Sequence, residues 1–208
     1  MKVLMINGSS HAAGSTFTAL SAAAAALERE SIESEILQCG KGAIRDCTAC
    51  GGCRKNPGKC AFDDDIVNEV IAKAKEADGF IFGTPVYYAH PSGRILSLLD
   101  RVFYAGGVNF AYKPGAAVAS ARRAGTTASF DVLNKYFTIC NMPVVSSSYW
   151  NNIHGNSADE AKQDEEALYT MDLLGQNMAW LLKTIDMAKK NGLEHPLPPP
   201  KPFTNFIR

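Results

Sequence analysis

Short apolar runs alternate along the chain with longer stretches in which apolar residues recur at helical spacing. The runs are three to five residues long and are bounded by glycine and polar residues, which is typical of strands covered on both faces of a sheet. They predict five strands, at Val3–Ile6, Ser34–Leu37, Gly79–Phe82, Gly115–Ala119 and Val144–Ser146.

Amphipathic helices are predicted between these strands. Ser15 and Ser92 stand where a helix-capping hydroxyl is expected, and Ser157 with Glu160 has the form of a capping box. The first predicted helix runs from Ser15 to about Arg29, the second begins near Asp65, and the third begins at Ser92. The fourth contains Phe130, Leu133 and Phe137. The fifth runs from Ser157 to about Lys190, with a bend at Gly175 and a stop at Asn191-Gly192.

Alternating strands and helices predict one α/β domain with an open parallel sheet and helices on both faces. We expect this domain to span residues 1–192, and the Pro-rich segment 193–208 to form a C-terminal tail. Ligands of such sheets bind beyond the carboxyl ends of the strands. Three loops leave those ends, the first loop (residues 8–16), the second loop (84–93) and the third loop (120–126), and we expect them to line one crevice.

The first loop combines serine and threonine hydroxyls with backbone N–H groups at the start of a helix. Such a place stabilises a phosphate through donors and the helix dipole. The loop lacks the lysine of a triphosphate-binding loop and the Gly-x-Gly-x-x-Gly of a dinucleotide site. A monophosphate site is therefore the specific hypothesis, and an ordinary turn with a serine cap is the alternative.

The second and third loops add flat and cationic side chains. Tyr87 and Tyr88 offer ring faces beside Pro85, and the backbone there could bond the edge of a heteroaromatic ring; packing on neighbouring helices is the alternative. Arg122 and Arg123 could pair with a phosphate or an anionic ring, or remain solvated at the surface.

Four cysteines, Cys47, Cys50, Cys53 and Cys60, form a compact C-x2-C-x2-C-x6-C pattern, called here the cysteine segment (residues 47–60). Structural zinc sites more often use two separated pairs. Bacterial ferredoxin runs share the first spacings of this pattern. From the residues alone, an iron–sulfur cluster, a zinc ion and a tight turn without metal all stay open.

Composition excludes several classes of protein. Lys plus Arg number 21 and Asp plus Glu number 21, so no net charge attracts nucleic acid or an anionic membrane surface. No apolar run has the length of a membrane span, and no signal peptide is expected. Clustered cysteines suit a reducing compartment, so we expect a cytoplasmic protein.

Several motifs together resemble the flavodoxin-like NADPH-dependent FMN reductases. They are Gly8-Ser-Ser, Gly14-Ser-Thr16, Gly83-Thr-Pro-Val-Tyr-Tyr88, Ser92-Gly93 and Leu99-Asp-Arg101. The segment Ser120–Thr127 and the ending Thr204–Arg208 are similar to a branch close to the iron–sulfur flavoproteins. The resemblance implies a flavodoxin-like fold, noncovalently bound FMN and a homodimer or homotetramer.

The resemblance also implies roles for individual residues. Ser9, Gly14, Ser15 and Thr16 would hold the FMN phosphate, and Ser10 or His11 would replace an arginine that relatives often carry at position 10. The isoalloxazine ring would contact Pro85, Val86, Tyr87 and Tyr88, and its polar end would meet Ser120, Arg122, Arg123 and Gly125. In iron–sulfur flavoproteins a matching four-cysteine motif ligates a 4Fe–4S cluster, although many related reductases carry similar cysteines without a recognised cluster.

The sequence thus predicts an FMN-dependent oxidoreductase in which NAD(P)H reduces bound FMN, followed by transfer to a flavin, a quinone or a similar acceptor. The flavin carries the electrons, so no side chain is assigned a catalytic role. One alternative is an iron–sulfur flavoprotein that passes electrons between protein partners. Another is a binding module that holds FMN as a redox sensor.

Overall fold

The computed structural model describes residues 1–40, 42–202, 204 and 206. The strands are β1 (Lys2–Asn7), β2 (Glu33–Gln38), β3 (Gly79–Tyr87), β4 (His90–Pro91), β5 (Gly115–Ala121) and β6 (Asn152–His154). The α-helices are α1 (Ser15–Arg29), α2 (Gly52–Lys55), α3 (Val67–Glu76), α4 (Gly93–Gly106), α5 (Thr126–Ile139), α6 (Ala158–Ala161) and α7 (Glu165–Lys190).

Five strands form a parallel sheet in the order β2-β1-β3-β5-β6. The short β4 turns back antiparallel on the end of β3. Without β4, the order is 2-1-3-4-5, which is the flavodoxin-like order with its switch point between β1 and β3. The flavodoxin-like α/β fold with a five-stranded parallel sheet is therefore confirmed.

Helices cover both faces of the sheet, as predicted. In β1, Val3 and Met5 pack with α1, α6 and α7, while Leu4 and Ile6 pack with α3, α4 and α5. All four side chains are fully buried. A continuous apolar run forms this strand because both of its faces are covered.

The fifth strand lies later in the chain than predicted. Val144 makes only an isolated bridge with Gly115, and the chain then leaves the sheet and rejoins β5 at Asn152. The intervening turn is fixed by polar side chains, since Ser147 Oγ donates to Asn151 Oδ1 at 2.7 Å and Asn151 Nδ2 donates to Ala117 O at 3.0 Å. The prediction of a strand at residues 144–146 was wrong because these contacts outweigh its apolar character.

The predicted long C-terminal helix is two helices. Ser157 Oγ accepts from Glu160 N at 3.2 Å and starts only α6, and Asp164 then caps α7 by accepting from Ala167 N at 3.1 Å. Gly175 lies inside α7, where an added Cβ would meet Ala26 Cβ at 2.5 Å. Its role is close packing of α7 on α1.

Beyond α7, residues 193–202 have no regular secondary structure. The His195 ring stacks on Tyr112, with 4.1 Å between the ring centroids. Most of the ending used in the family resemblance, namely Asn205, Ile207 and Arg208, lies outside the described residues. In the described part of the chain, no helix is both long enough and apolar enough to cross a membrane.

Candidate functional site

A cavity of about 680 Å³ opens at the carboxyl edge of the sheet, beside the switch point between β1 and β3. Its volume falls within the range of small-molecule sites. The first, second and third loops all contribute to its wall, as the topology led us to expect. Its lining includes Ser9, Ser10, Gly14, Ser15, Thr16, Pro85, Val86, Tyr87, Ser120 and Arg122.

The first loop presents an uncapped helix start to this cavity. Gly14 is the N-cap of α1 and supplies no side-chain hydrogen bond, and the first turn of α1 contains no acidic residue. The first N–H groups of a helix have no intrahelical acceptor. They and the positive end of the helix dipole are therefore available to an anion in the cavity.

Ser15 does not cap α1, which corrects the sequence prediction. Its hydroxyl lies 3.2 Å from Gly155 O and 3.1 Å from Ser157 O. The side chain therefore ties the first loop to a fourth loop (residues 155–158) that also lines the cavity, and an anion at the helix start would meet the N–H group of Ser15.

Three further hydrogen bonds connect the elements around the cavity. The hydroxyls of Thr16 and Ser120 share a hydrogen bond of 2.7 Å, and both residues are buried. Ser92 Oγ donates to Gly8 O at 2.8 Å, and Gly8 N donates to Gly83 O at 2.8 Å. These bonds join the three loops before any ligand arrives.

Tyr87, on the cavity wall, contacts the first loop through its hydroxyl. Its hydroxyl accepts from Ser10 N at 3.1 Å and lies 3.5 Å from Ser9 Oγ. Burial acts to raise the pKa of the Tyr87 hydroxyl, but the hydrogen bonds with Ser9 and Ser10 outweigh it and lower the pKa below its usual value. The ring remains partly exposed on the cavity wall.

Three of the sequence-predicted residues, Tyr88, Arg123 and Gly125, are not among the cavity lining. Tyr88 is fully exposed and has a φ of 63°. Gly125 has a φ of 94° as the N-cap of α5, and a Cβ there would lie 2.8 Å from Val86 Cγ1. Gly125 thus permits the close approach of the second and third loops.

Sequence reasoning missed the fourth loop, whose residues Gly155 to Ala158 complete the cavity wall. An added Cβ on Gly155 would lie 2.5 Å from Ala161 N, so the loop packs tightly on α6. The sequence feature that could have indicated this loop is Ser157, the capping residue at the start of α6. Once β6 is placed at Asn152–His154, that cap follows directly after the carboxyl end of a strand.

A second cavity, of about 400 Å³, lies along the cysteine segment. All four of its cysteines contribute to the wall, together with Phe62 and Arg101 among others. Cys60 is buried and Cys50 is exposed, and every cysteine is a free thiol. Within residues 1–40, 42–202, 204 and 206, no three His, Cys, Asp or Glu side chains lie close enough to hold a metal ion. The donors suit a cluster chemically, but the thiols are not assembled around a common centre.

Arg101 closes the base of the cysteine segment. Its guanidinium is buried in an ion pair with Asp65 and donates to Arg45 O at 3.1 Å and to Phe62 O at 3.3 Å. Its Nε lies 3.4 Å from Cys60 Sγ. One side chain on α4 therefore holds together the residues just before and just after the cysteine segment.

Comparison with known proteins identifies the family of this chain. Residues 1–156 match the profile of a family described as NADPH-dependent FMN reductase. The chain belongs to this family. An iron–sulfur flavoprotein of Methanocaldococcus jannaschii is 33% identical over 193 residues, covering 89% of this chain and 99% of that protein. An iron–sulfur flavoprotein of Methanosarcina thermophila is 28% identical over 196 residues, covering 92% of this chain and 98% of that protein.

Solved structures agree on the fold of this FMN reductase family member. RosB, solved with bound 8-demethyl-8-formylriboflavin-5'-phosphate, superposes with a TM-score of 0.69 at 14% identity, over 100% of this chain and 94% of RosB. An NAD(P)H:quinone oxidoreductase of Methanothermobacter marburgensis gives a TM-score of 0.65 at 14% identity, over 86% of this chain and 98% of that chain. At these identities, the likeness supports the fold alone.

Proposed function

We propose that the protein is an FMN-dependent oxidoreductase in which NAD(P)H reduces the bound flavin, followed by transfer to a flavin, a quinone or a similar acceptor. The observation that carries this proposal is the 680 Å³ cavity, which opens on an uncapped helix start in a chain of the FMN reductase family. The helix start fits the phosphate, and the remaining length of the cavity is lined by residues suited to a flat ring.

The residues of the cavity fit the parts of FMN in a definite order. The first loop would hold the phosphate chiefly through the N–H groups at the start of α1, because the Ser15 and Thr16 hydroxyls already bond the fourth and third loops and Ser9 Oγ accepts from His11 N. The proposed phosphate set is Ser9, Ser10, Gly14, Ser15 and Thr16; the proposed ring set is Pro85, Val86 and Tyr87; the proposed set at the polar end of the ring is Ser120 and Arg122. Tyr88, Arg123 and Gly125, which the sequence assigned to the last two sets, lie outside the cavity lining.

FMN, when bound, supplies the hydride and electron chemistry, and the protein supplies position and electrostatics. The guanidinium of Arg122 adds positive charge to the wall of the cavity, which favours an anionic ligand. Tyr87 fixes the distance between the second and first loops through its bond from Ser10 N.

A second candidate function is that of an iron–sulfur flavoprotein, which passes electrons between protein partners. It is favoured by the four cysteines that share one cavity and by the curated relatives of that name. Cys47, Cys50, Cys53 and Cys60 would be the ligands of a 4Fe–4S cluster. The thiols would have to draw together to hold it, with Cys60 already anchored beside Arg101.

We further propose a homodimer or homotetramer located in the cytoplasm. Its folded unit is residues 1–192, and residues 193–208 form a tail that contacts a neighbouring subunit. Six free cysteines are in keeping with a reducing compartment. Comparing the solution mass of the full chain with that of a chain lacking residues 195–208 tests the tail. An unchanged oligomer would contradict its role.

The two functions are separated by mixing oxygen-free protein with NADPH, NADH or reduced ferredoxin and following the loss of the oxidised flavin absorption. Iron and acid-labile sulfide are assayed on the same sample. Rapid reduction by NADPH or NADH without iron supports the reductase. Iron near four atoms per chain, as in a cubane, with reduction by ferredoxin alone would support the alternative instead.

A further inference from the structure

Two amide side chains lie behind the first loop and outside the cavity lining. Asn7 ends β1 and is fully buried, and Gln38 ends the neighbouring strand β2, where the two residues are paired in register. Asn7 Nδ2 donates to Gln38 Oε1 at 2.5 Å. Asn7 precedes the first loop and Gln38 lies far from it in sequence, so the motifs of that loop assign a role to neither residue.

The pair holds both backbone groups of Ser9. Asn7 Oδ1 accepts from Ser9 N at 3.1 Å, and Gln38 Nε2 donates to Ser9 O at 2.6 Å. Asn7 Nδ2 also lies 3.4 Å from His11 O and from Ala12 O. Three carbonyl oxygens of the first loop are thus directed to amide donors behind the loop.

This arrangement determines which backbone atoms a ligand meets. A carbonyl oxygen facing the cavity would repel a phosphate, whereas an N–H group attracts it. The N–H groups of Ser9, Ser10 and His11 already donate to Asn7 Oδ1, Tyr87 Oη and Ser9 Oγ. With the Ser9, His11 and Ala12 carbonyls held from behind, the cavity side is therefore left to the N–H groups at the uncapped helix start. The loop is also ordered before a ligand binds, so ligand binding does not have to offset the conformational entropy lost on ordering it.

We infer that the Asn7–Gln38 pair presets the first loop for a phosphate monoester, and that Gln38 is a positioning residue through which the protein selects FMN over riboflavin. This inference rests on the proposed function. Gln38 would act without touching the cofactor, through Ser9 O and Asn7 Nδ2.

The test measures the dissociation constants of FMN and riboflavin for cofactor-free protein by quenching of flavin fluorescence. Gln38→Leu keeps the size of the side chain but loses both hydrogen bonds. We expect FMN binding to weaken about tenfold, equivalent to about 1.4 kcal/mol, and riboflavin binding to stay unchanged. Gln38→Glu keeps the acceptor for Asn7 but places an oxygen against Ser9 O, so its loss of FMN affinity should be at least as large.

Gln176→Leu is the matched control. Gln176 is an exposed amide on α7 that donates to Asp172 at 2.6 Å, on a helix that does not line the cavity. Its replacement should change neither dissociation constant. Because Gln38 is only partly buried on the edge strand, urea unfolding should show that the Gln38 variants remain folded.

Unchanged FMN affinity in both Gln38 variants would overturn this inference alone, provided that the wild-type protein binds FMN. An equal loss of FMN and riboflavin affinity would also overturn it, since that result indicates general damage to the cavity. A wild-type protein that binds neither flavin would overturn the proposed function and this inference with it.

Discussion

Replacing Asp65 with Asn should destabilise the protein strongly, because it leaves the Arg101 guanidinium buried without a counter-charge. Only 1% of the Arg101 side chain and 5% of the Asp65 side chain are exposed. Removing one partner of a buried ion pair typically costs about 3–5 kcal/mol. Arg101 keeps its bonds to Arg45 O and Phe62 O in the variant, so we expect a loss of about 3 kcal/mol, at the lower end of that range.

The neighbouring residue Asp64 provides a control in the same loop. It pairs with Arg45 at 2.6 Å, but 53% of its side chain and 44% of that of Arg45 are exposed. Exposed pairs contribute about 0.2–1 kcal/mol. Asp64→Asn should therefore lower the free energy of unfolding much less than Asp65→Asn does.

Equilibrium urea unfolding, followed by the fluorescence of Trp150 and Trp180, measures both losses on the same scale. Cofactor-free protein is used, so that ligand binding does not contribute to the measured stability. If Asp65→Asn costs no more than Asp64→Asn, the buried pair does not hold the base of the cysteine segment and the reasoning fails.

Two further predictions concern ionisable groups. Hydrogen bonds from Lys2 and Lys73 lower the pKa of Glu35 below its ordinary value of 4.5. The stability that Glu35 contributes is therefore present above pH 4.5 and is lost as the pH falls through the lowered value. Glu35→Gln should lower the free energy of unfolding by about 1 kcal/mol at neutral pH. In urea titrations below pH 4.5, the stability difference between the wild type and the variant should shrink; a difference independent of pH would contradict this. Burial raises the pKa of the Cys39 thiol to about 12. Iodoacetamide at neutral pH should therefore label exposed Cys50 and spare Cys39 until the protein unfolds. Equal labelling of the two cysteines in peptide mass spectra would contradict this prediction.

Most of the fold could be predicted because its apolar pattern is local and strong. The predicted strand at Val3–Ile6 and the structural β1 at Lys2–Asn7 differ by one residue at each end. The order of the sheet then follows from short right-handed crossovers. The first three loops could be placed together for the same reason, since parallel strands carry their carboxyl ends to one edge.

The errors arose where long-range polar contacts decide the structure. Val144–Ser146 is more apolar than Asn152–His154, yet Asn151 reaches Ala117 O across the sheet and sets where pairing resumes. Ser15 was expected to cap its own helix, but its partners lie 140 and 142 residues further along the chain. No local pattern contains such information.

We expect the cavity at the switch point of the sheet to bind FMN. The most direct test is the visible absorption spectrum of protein purified without oxygen, combined with identification of any flavin released on denaturation. We expect an oxidised-flavin spectrum and stoichiometric release of FMN. A protein that carries no flavin, and that fails to quench the fluorescence of added FMN, would contradict this expectation.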